Sequence, residues 1–350
     1  MIPYLLSWGL FASSGLGNAR RIAGNTLWLL GTFLTLLIGL RDQVGGDWLN
    51  YLPYVDRAAD QPFADIFFYP EPGYGLFNWI GANWGGGVFL VNTLCGLIFT
   101  IGLLCFVCDQ PRPWLALTLA FPYLVTVVAM GYSRQSVAIG FEMLALLALQ
   151  RDRLLQFIAW IALASTFHNT VLVLMIVPAS TISTRIQFGQ LIRLALVGVS
   201  AFGLFSSLLS PKLDTLVTNY VDAQYQSQGA VIRVILCLLP ALLFLPNRHR
   251  FNLPSNTSRI WTLISFLAVG AAIALPTFAS STVIDRLALY LIPLQIFVGS
   301  RLPDSRLFGI DPSSWAQLLI LFSLAVLVIW LLFAVNASFW LPYRNLLLPF

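Results

Sequence analysis

The chain has 350 residues, 58% of them hydrophobic and only 9% charged, with a formal net charge of +5. A soluble domain is nearer a quarter charged, so this much apolar surface must meet lipid as well as a core. The basic excess is almost all arginine, with Lys212 the single lysine, and it is scattered among apolar segments rather than striped on one face, which argues against a nucleic-acid partner.

Twelve apolar segments follow in chain order: 2–17, 24–40, 84–108, 114–130, 133–149, 154–167, 169–183, 191–209, 230–246, 259–279, 285–299 and 314–335. They predict an all-α polytopic membrane protein of about 12 transmembrane helices, a single integral membrane domain over 1–350 with no soluble module. Several are shorter than the ~20 residues of a full crossing. Arg20 and Arg21 follow the first apolar stretch rather than precede it, which fits a span with its N-terminus outside better than a cleaved leader. With those two in the cytoplasm, the inner side also holds Arg112, Arg151, Arg153, Arg185, Arg193, Arg248, Arg250, Arg259, Arg301 and Arg306. The outer side keeps Arg41, Arg57, Arg134, Lys212, Arg233, Arg286 and Arg344, so the positive-inside bias is met.

Two outer loops are long, at 41–83 and 210–229. The first mixes Asp42, Asp47, Asp56, Asp60, Asp65 and Glu71 with Trp48, Tyr51, Tyr54, Phe67, Phe68, Tyr69, Tyr74 and Trp79. Such a mixture suits a sugar-binding surface, and it equally suits a segment at headgroup depth. The second is polar and carries Tyr220, Asp222, Gln224, Tyr225, Gln226 and Gln228. The inner loops are short, so function points outward. The four cysteines, Cys95, Cys105, Cys108 and Cys237, all sit in apolar runs and read as packing residues. A lone CxxC without histidines is a weak metal signal.

Several outer basic residues lie against apolar helix ends, where charge is costly and usually functional. Arg134 opens the segment at 133, His168 precedes the one at 169, Arg233 lies in the first turn after 230, and Arg286 opens the segment at 285. A cation at a helix N-terminus opposes the dipole, but an anion bound between such ends would satisfy both. Arginine's planar fork fits phosphate oxygens in pairs. The alternative is internal ion pairing, since Asp285 adjoins Arg286. His168 reads as a helix-end cap or as a general base with a near-neutral pKa. Glu71, held between Pro70 and Pro72, reads as a sugar-hydroxyl acceptor or base, or as a helix N-cap. Glu142, in mid-segment, receives no role. No phosphate loop, HxxxH pair or GxSxG elbow occurs.

The local strings carry a resemblance. Gly39 to Tyr51, GLRDQVGGDWLNY, resembles the arginine plus VGxDxxxY opening of EpsG-family membrane proteins. Glu71 to Asn78, EPGYGLFN, resembles their EPGF/Y…LN segment. Ser133-Arg134-Gln135-Ser136-Val137-Ala138 is similar to their RQxxA motif, and Phe167-His168-Asn169-Thr170 to their FHxS/T position. Asp285 to Tyr290 resembles a late RLxxY element, and Pro342-Tyr343-Arg344-Asn345 a terminal PYR element. The six occur in order over nearly the whole chain, and all fall on the outer side of the topology drawn from charge. The departures are slight: Asn169-Thr170 where a small residue and serine are frequent, and a short N-terminus.

The resemblance implies a Wzy-like exopolysaccharide polymerase with a GT-C-like multispanning fold. Such an enzyme transfers a growing glycan from polyprenyl pyrophosphate to a lipid-linked repeat unit on the outer face of the bacterial cytoplasmic membrane. For that chemistry Arg134, Arg286 and Arg233, with Arg41 or Arg344, are expected to hold the pyrophosphate. His168 or Glu71 is expected to take the acceptor proton, and Asp47 to orient the acceptor or an arginine. No metal or other cofactor is expected, because arginine can neutralise a leaving pyrophosphate. The expected partners are the lipid-linked oligosaccharide, membrane lipid, a flippase and a chain-length regulator. Single-sugar transfer from a polyprenyl monophosphate and transport of a lipid-linked oligosaccharide are the competing readings.

Overall fold

The computed structural model describes residues 1–17, 19–181, 188–206, 227, 229–277 and 280–347, without the side chain of Phe188. Among these the regular structure is helical, with one isolated antiparallel bridge between Arg41 and Asn345. In chain order the helices are α1 (Ile2–Gly15), α2 (Gly24–Gly39), α3 (Trp48–Ala59), α4 (Pro72–Asn83), α5 (Gly87–Cys108), α6 (Pro113–Ala120), α7 (Ser133–Gln150), α8 (Leu154–Ser165) and α9 (Phe188–Leu204). They continue with α10 (Ala230–Asn247), α11 (Ser255–Ala274), α12 (Ser281–Ala288), α13 (Pro293–Gly299), α14 (Leu302–Ser305) and α15 (Pro312–Phe333). A π-helical stretch, Phe121–Ala129, extends α6, and a 3-10 helix, Asn169–Thr181, follows α8.

Each of the twelve predicted segments contains a helix. Among the described residues, four stretches are long and apolar enough to cross a membrane alone: Gly87–Cys108, Ala230–Phe251, Ser255–Ala274 and Pro312–Phe333. A fifth exists if Ser281–Leu291, which is α12 and the 3-10 turn after it, and α13, bent by 41° from it, form one broken span. The chain is therefore a polytopic helical membrane protein. Helix α7 carries Ser133, Arg134, Gln135, Ser136 and Glu142, yet it is buried along most of its length between α5 and α8. Neighbouring helices rather than lipid surround those polar groups, as the cost of polar atoms in hydrocarbon requires.

The predicted outer loop at 41–83 is not a loop. It folds into α3, a 3-10 turn (Phe63–Phe68) and α4. Trp48, Tyr51, Val55 and Ala58 recur at helical spacing and are buried. The aromatics divide accordingly: Trp48, Tyr51 and Tyr74 enter the core, while Tyr54, Phe63, Phe67 and Phe68 stay exposed. The second predicted loop lies outside the described residues except for Ser227 and Gly229, as do Lys212 and Arg185. Cys95 and Cys237 are buried as expected, but Cys105 and Cys108 are exposed on the outward face of α5, so packing does not explain that pair.

Charged loops sort to two ends. Asp304 accepts from Arg20 (2.5 Å) and Arg112 (2.9 Å), Arg151 pairs with Asp109 (2.7 Å), and Arg193 pairs with Asp152 (2.9 Å). Arg301 donates to Gln110. All these arginines come from loops assigned inward by charge. At the opposite end, α2, α5 and α7 converge, bringing together Arg41, Asn92 and Ser133.

Close backbone contact sets that convergence. A Cβ on Gly102 of α5 would lie 2.2 Å from the Gly140 carbonyl oxygen of α7. One on Gly140 would lie 2.9 Å from Phe99 Cα. Small residues at such a crossing let helices meet where lipid gives no hydrophobic drive between them. Gly140→Leu is expected to push α5 and α7 apart at a cost of about 1–3 kcal/mol or more. A thermal melt of the purified protein in detergent should show a lower midpoint; an unchanged midpoint would mean that the crossing tolerates separation.

Candidate functional site

The site is assembled around the YPEPGY segment. Pro70 and Pro72 fix the backbone on either side of Glu71. The chain beyond them is pinned to the end of α8: Gly73 N–H donates to Thr166 O at 2.9 Å, and Asn169 Nδ2 donates to Pro70 O at 3.3 Å. A Cβ at Gly73 would lie 2.4 Å from Thr166 Oγ1, so only glycine lets the two segments approach this closely. Glu71 holds the N-cap position of α4, but its side chain makes no capping bond. Its carboxylate turns the other way. Oε2 accepts from Arg134 Nη1 at 2.7 Å, and Oε1 lies 3.3 Å from His168 Nδ1. One carboxylate thus joins the EPGY, RQ and FHN motifs, from positions 63 and 97 residues apart in sequence.

Charge is tightly managed here. Burial alone would raise the Glu71 carboxyl, but the His168 hydrogen bond and the Arg134 charge outweigh it and hold the group at about 2. Glu71 therefore stays ionised and only accepts, so His168 Nδ1 carries the donated proton and Nε2 is the ring's acceptor. Burial also lowers the His168 pKa; Glu71 opposes that shift, while the charges of Arg134 and Arg286 reinforce it. The imidazole is neutral near pH 7, with its basic nitrogen on the side away from Glu71. Arg134 is further held over the rings of Tyr54 and Tyr74, 5.5 and 5.7 Å from their centroids.

The other predicted residues divide. Arg286 joins the cluster: its charge acts on His168, it is half-buried, and its carbonyl accepts from Gln135 Nε2 at 2.9 Å. It does not open a helix, however, because α12 starts at Ser281 and places Arg286 in its last turn, where the dipole favours a cation. Arg41 is fully buried. It donates to Val44 O (3.1 Å), Ile38 O, Asn92 Oδ1 (3.2 Å) and Ser133 Oγ (2.8 Å), so its guanidinium is turned into the protein and not toward a ligand. Arg233 is also buried. It pairs with Asp285 and bonds the hydroxyls of Tyr123 and Tyr132, an internal ion pair of the kind that was the alternative to anion binding, although the sequence suggested Asp285 as a partner for Arg286. Arg344 is exposed and bonds Gln43 Oε1 at 3.3 Å, with no contact to Glu71, Arg134 or His168. Asp47 accepts from the Tyr51 hydroxyl at 3.5 Å, and Tyr51 in turn accepts from Ser133 N–H at 2.9 Å. Asp47 therefore acts through Tyr51 on the start of α7.

Several supporting residues were not singled out from sequence: Asn92 and Ser133 around Arg41, Gln135, Tyr123 and Tyr132. Tyr54 was noticed only as a loop aromatic, and Tyr51 and Tyr74 as loop aromatics and motif positions without a role. Their signal was helical spacing in α3 with Tyr51 and Tyr54 three apart, and the tyrosine closing EPGY. Tyr290 ends the RLxxY element and meets Thr170 Oγ1 at 3.1 Å, which ties that element to FHNT.

A family model, the EpsG family, matches residues 25–345. The chain belongs to the EpsG family. Nothing among curated proteins or solved structures matches it. All six motifs of this EpsG protein lie inside the matched range, and α1 lies outside it. EpsG proteins are Wzy-like, polymerase-related membrane proteins associated with exopolysaccharide.

The two arginines assigned opposite environments give a direct check. Arg41→Ala strands buried acceptors at three helix ends and is expected to cost about 3 kcal/mol or more. Arg344→Ala is expected to stay within about 0.5 kcal/mol of the parent. Thermal midpoints of the two purified variants compare them, and equal midpoints would contradict the burial of Arg41.

Proposed function

We propose that this protein is a polysaccharide polymerase of the outer face of the cytoplasmic membrane. It transfers a growing glycan from polyprenyl pyrophosphate to the sugar of a lipid-linked repeat unit. The observation that carries this reading is the single carboxylate, Glu71, bonded to both a neutral histidine and an arginine, with a second arginine acting on the same histidine.

The geometry supports the following roles. Arg134 and Arg286 hold the donor's pyrophosphate and neutralise the charge that builds on it as the sugar–phosphate bond breaks. His168 Nε2 takes the proton of the acceptor hydroxyl as its oxygen bonds the donor's anomeric carbon. Glu71 is too acidic to serve as that base. It fixes the imidazole tautomer and anchors Arg134 from the other oxygen, the orienting role of a carboxylate beside a histidine base. Asp47 and Tyr51 set the start of α7 and so the reach of Arg134. Arg41 and Arg233 support the site from within. Arginine supplies the neutralisation, so the reading needs no metal. A flippase that delivers the repeat unit and a regulator of chain length are the partners such a reaction calls for.

The test is an assay of the purified protein with a lipid-pyrophosphate-linked oligosaccharide, read as product length on a gel. The parent should give a ladder. Arg134→Ala should lower the rate by about 10²–10³, and His168→Gln by about 10²–10⁴, with folded protein retained in both. A single added sugar from a polyprenyl-monophosphate donor, with no ladder from the pyrophosphate donor, would replace polymerisation by single-sugar transfer. Full activity in Arg134→Ala would remove the assignment altogether.

The pH profile separates base from orienting group. Protonation disables His168, and its pKa is lowered, so the acid limb of kcat/KM should lie below the ordinary histidine value of about 6.5. The negative Glu71 favours the protonated imidazole. Glu71→Gln should therefore move that limb to still lower pH while reducing the maximum rate. Were Glu71 the base, the same substitution would abolish the limb instead of shifting it.

A further inference from the structure

An apolar groove of about 510 Å³ opens beside the site, between the 3-10 helix Asn169–Thr181, the end of α9 and α12. Its walls are Leu172, Val173, Ala201, Phe202, Phe205 and Leu287, and its one polar edge is Asn169 and Thr170. That edge follows His168 directly in the chain, and Leu287 follows Arg286. Exposed apolar side chains are ordinary on a membrane protein, but this groove has a direction. Its polar edge adjoins the site, because Asn169 bonds Pro70 O beside Glu71, while Val173 (46% exposed) and Phe202 (73% exposed) stand among its apolar walls. A 3-10 run of 13 residues is unusual, and this tighter coil forms one wall of the space. Two other apolar grooves of comparable kind occur among the described residues. One lies between α2 and α5 around Trp28 and Ile101, and one around Pro240 and Trp315. Neither is lined by a residue adjoining Glu71, Arg134, His168 or Arg286.

We infer that this groove seats the isoprenoid chain of the donor lipid, so that the pyrophosphate lies at Arg134 and Arg286 while the first isoprene units run between Val173 and Phe202. The inference rests on the polyprenyl-linked donor of the proposed function and adds the residues that would select for its lipid part. The complementarity is twofold: an anion meets two arginines, and the hydrocarbon joined to it meets a wall that is uncharged among the described residues. The groove is open at its lipid end, so only the proximal units are seated and the rest of a long chain lies in the bilayer.

The test uses the full-length protein in nanodiscs with a polyprenyl pyrophosphate that carries a diazirine in its first isoprene units. Photolabelling is expected in the peptides spanning 169–181 and 188–206. Excess unlabelled polyprenyl pyrophosphate should suppress it, and equal concentrations of inorganic pyrophosphate or of the free polyprenol should not. Labelling confined to α2 and α5, or suppression by inorganic pyrophosphate alone, would overturn the groove assignment. In a second measurement, Ala201→Trp fills the groove. KM for a two-isoprene donor should rise about tenfold over the parent with kcat little changed, the factor expected from losing one or two buried methylene contacts. An unchanged KM in folded protein would count against the groove, and if that variant does not fold, the labelling pattern decides. Labelling of the groove without any polymerisation by the parent would sink the polymerase reading and leave the lipid site standing. A product ladder with labels elsewhere would do the reverse.

Discussion

A buried guanidinium that no carboxylate among the described residues pairs with organises the site end of this protein. Taking Arg41 out of water costs several kcal/mol unless its donors are met. They are met by carbonyls and amide or hydroxyl oxygens from three helices. Ile38 O belongs to the last turn of α2, whose carbonyls have no partner within the helix, so the arginine caps the negative end of that dipole. Asn92 fixes the first turns of α5, and Ser133 fixes the start of α7. The backbone beside Arg41 is clamped as well: Asp42 N–H donates to Arg344 O at 3.0 Å, and Leu346 N–H to Leu40 O at 2.9 Å. The terminal PYRN element thus serves through its backbone and through Tyr343 and Asn345, which donate to Leu37 O and Leu36 O, and the opening GLRD element through a buried side chain.

Ser133 adjoins Arg134, so holding Ser133 aims Arg134. Glu71 then closes the arrangement from the other side, and its position depends on the contact of Gly73 with Thr166 and on the two prolines. A carboxylate shared between an arginine and a histidine does two things at once. It keeps the arginine in place without using all of its donors, and it fixes which nitrogen is basic on a histidine that burial and the two arginines keep neutral. A second ion pair, Arg233–Asp285, anchors α12 to α10 between Tyr123 and Tyr132, and α12 carries Arg286 toward the same histidine. The motifs lie far apart in sequence, and each is bonded to another: GLRD to SRQ, SRQ to EPGY and DRL, EPGY to FHNT, FHNT to RLxxY.

Much of this was legible in the chain. The apolar runs marked the helices, and the arginine count per loop separated the two ends, because both follow from the cost of exposing charge to hydrocarbon. The prolines around Glu71 marked it as rigid. The fold of 41–83 was hidden by its many aromatics, although Trp48, Tyr51 and Val55 carry helical spacing. The choice between an N-cap and a functional carboxylate for Glu71 could not be made locally, since both roles begin from the same position at the head of α4.

By itself the sequence determined the class of molecule and its charge polarity, since those depend on composition and local periodicity. Only the tertiary structure decided which arginines at the site end are sealed inside the protein. Arg41 and Arg134 both stand at the end of an apolar helix, and nothing in their immediate neighbours distinguishes them. Their fates differ because Arg41 meets Ser133 across 92 positions and is sealed, while Arg134 meets Glu71 across 63 and remains partly open. Burial is set by what the rest of the chain packs against a side chain, and that information is not local.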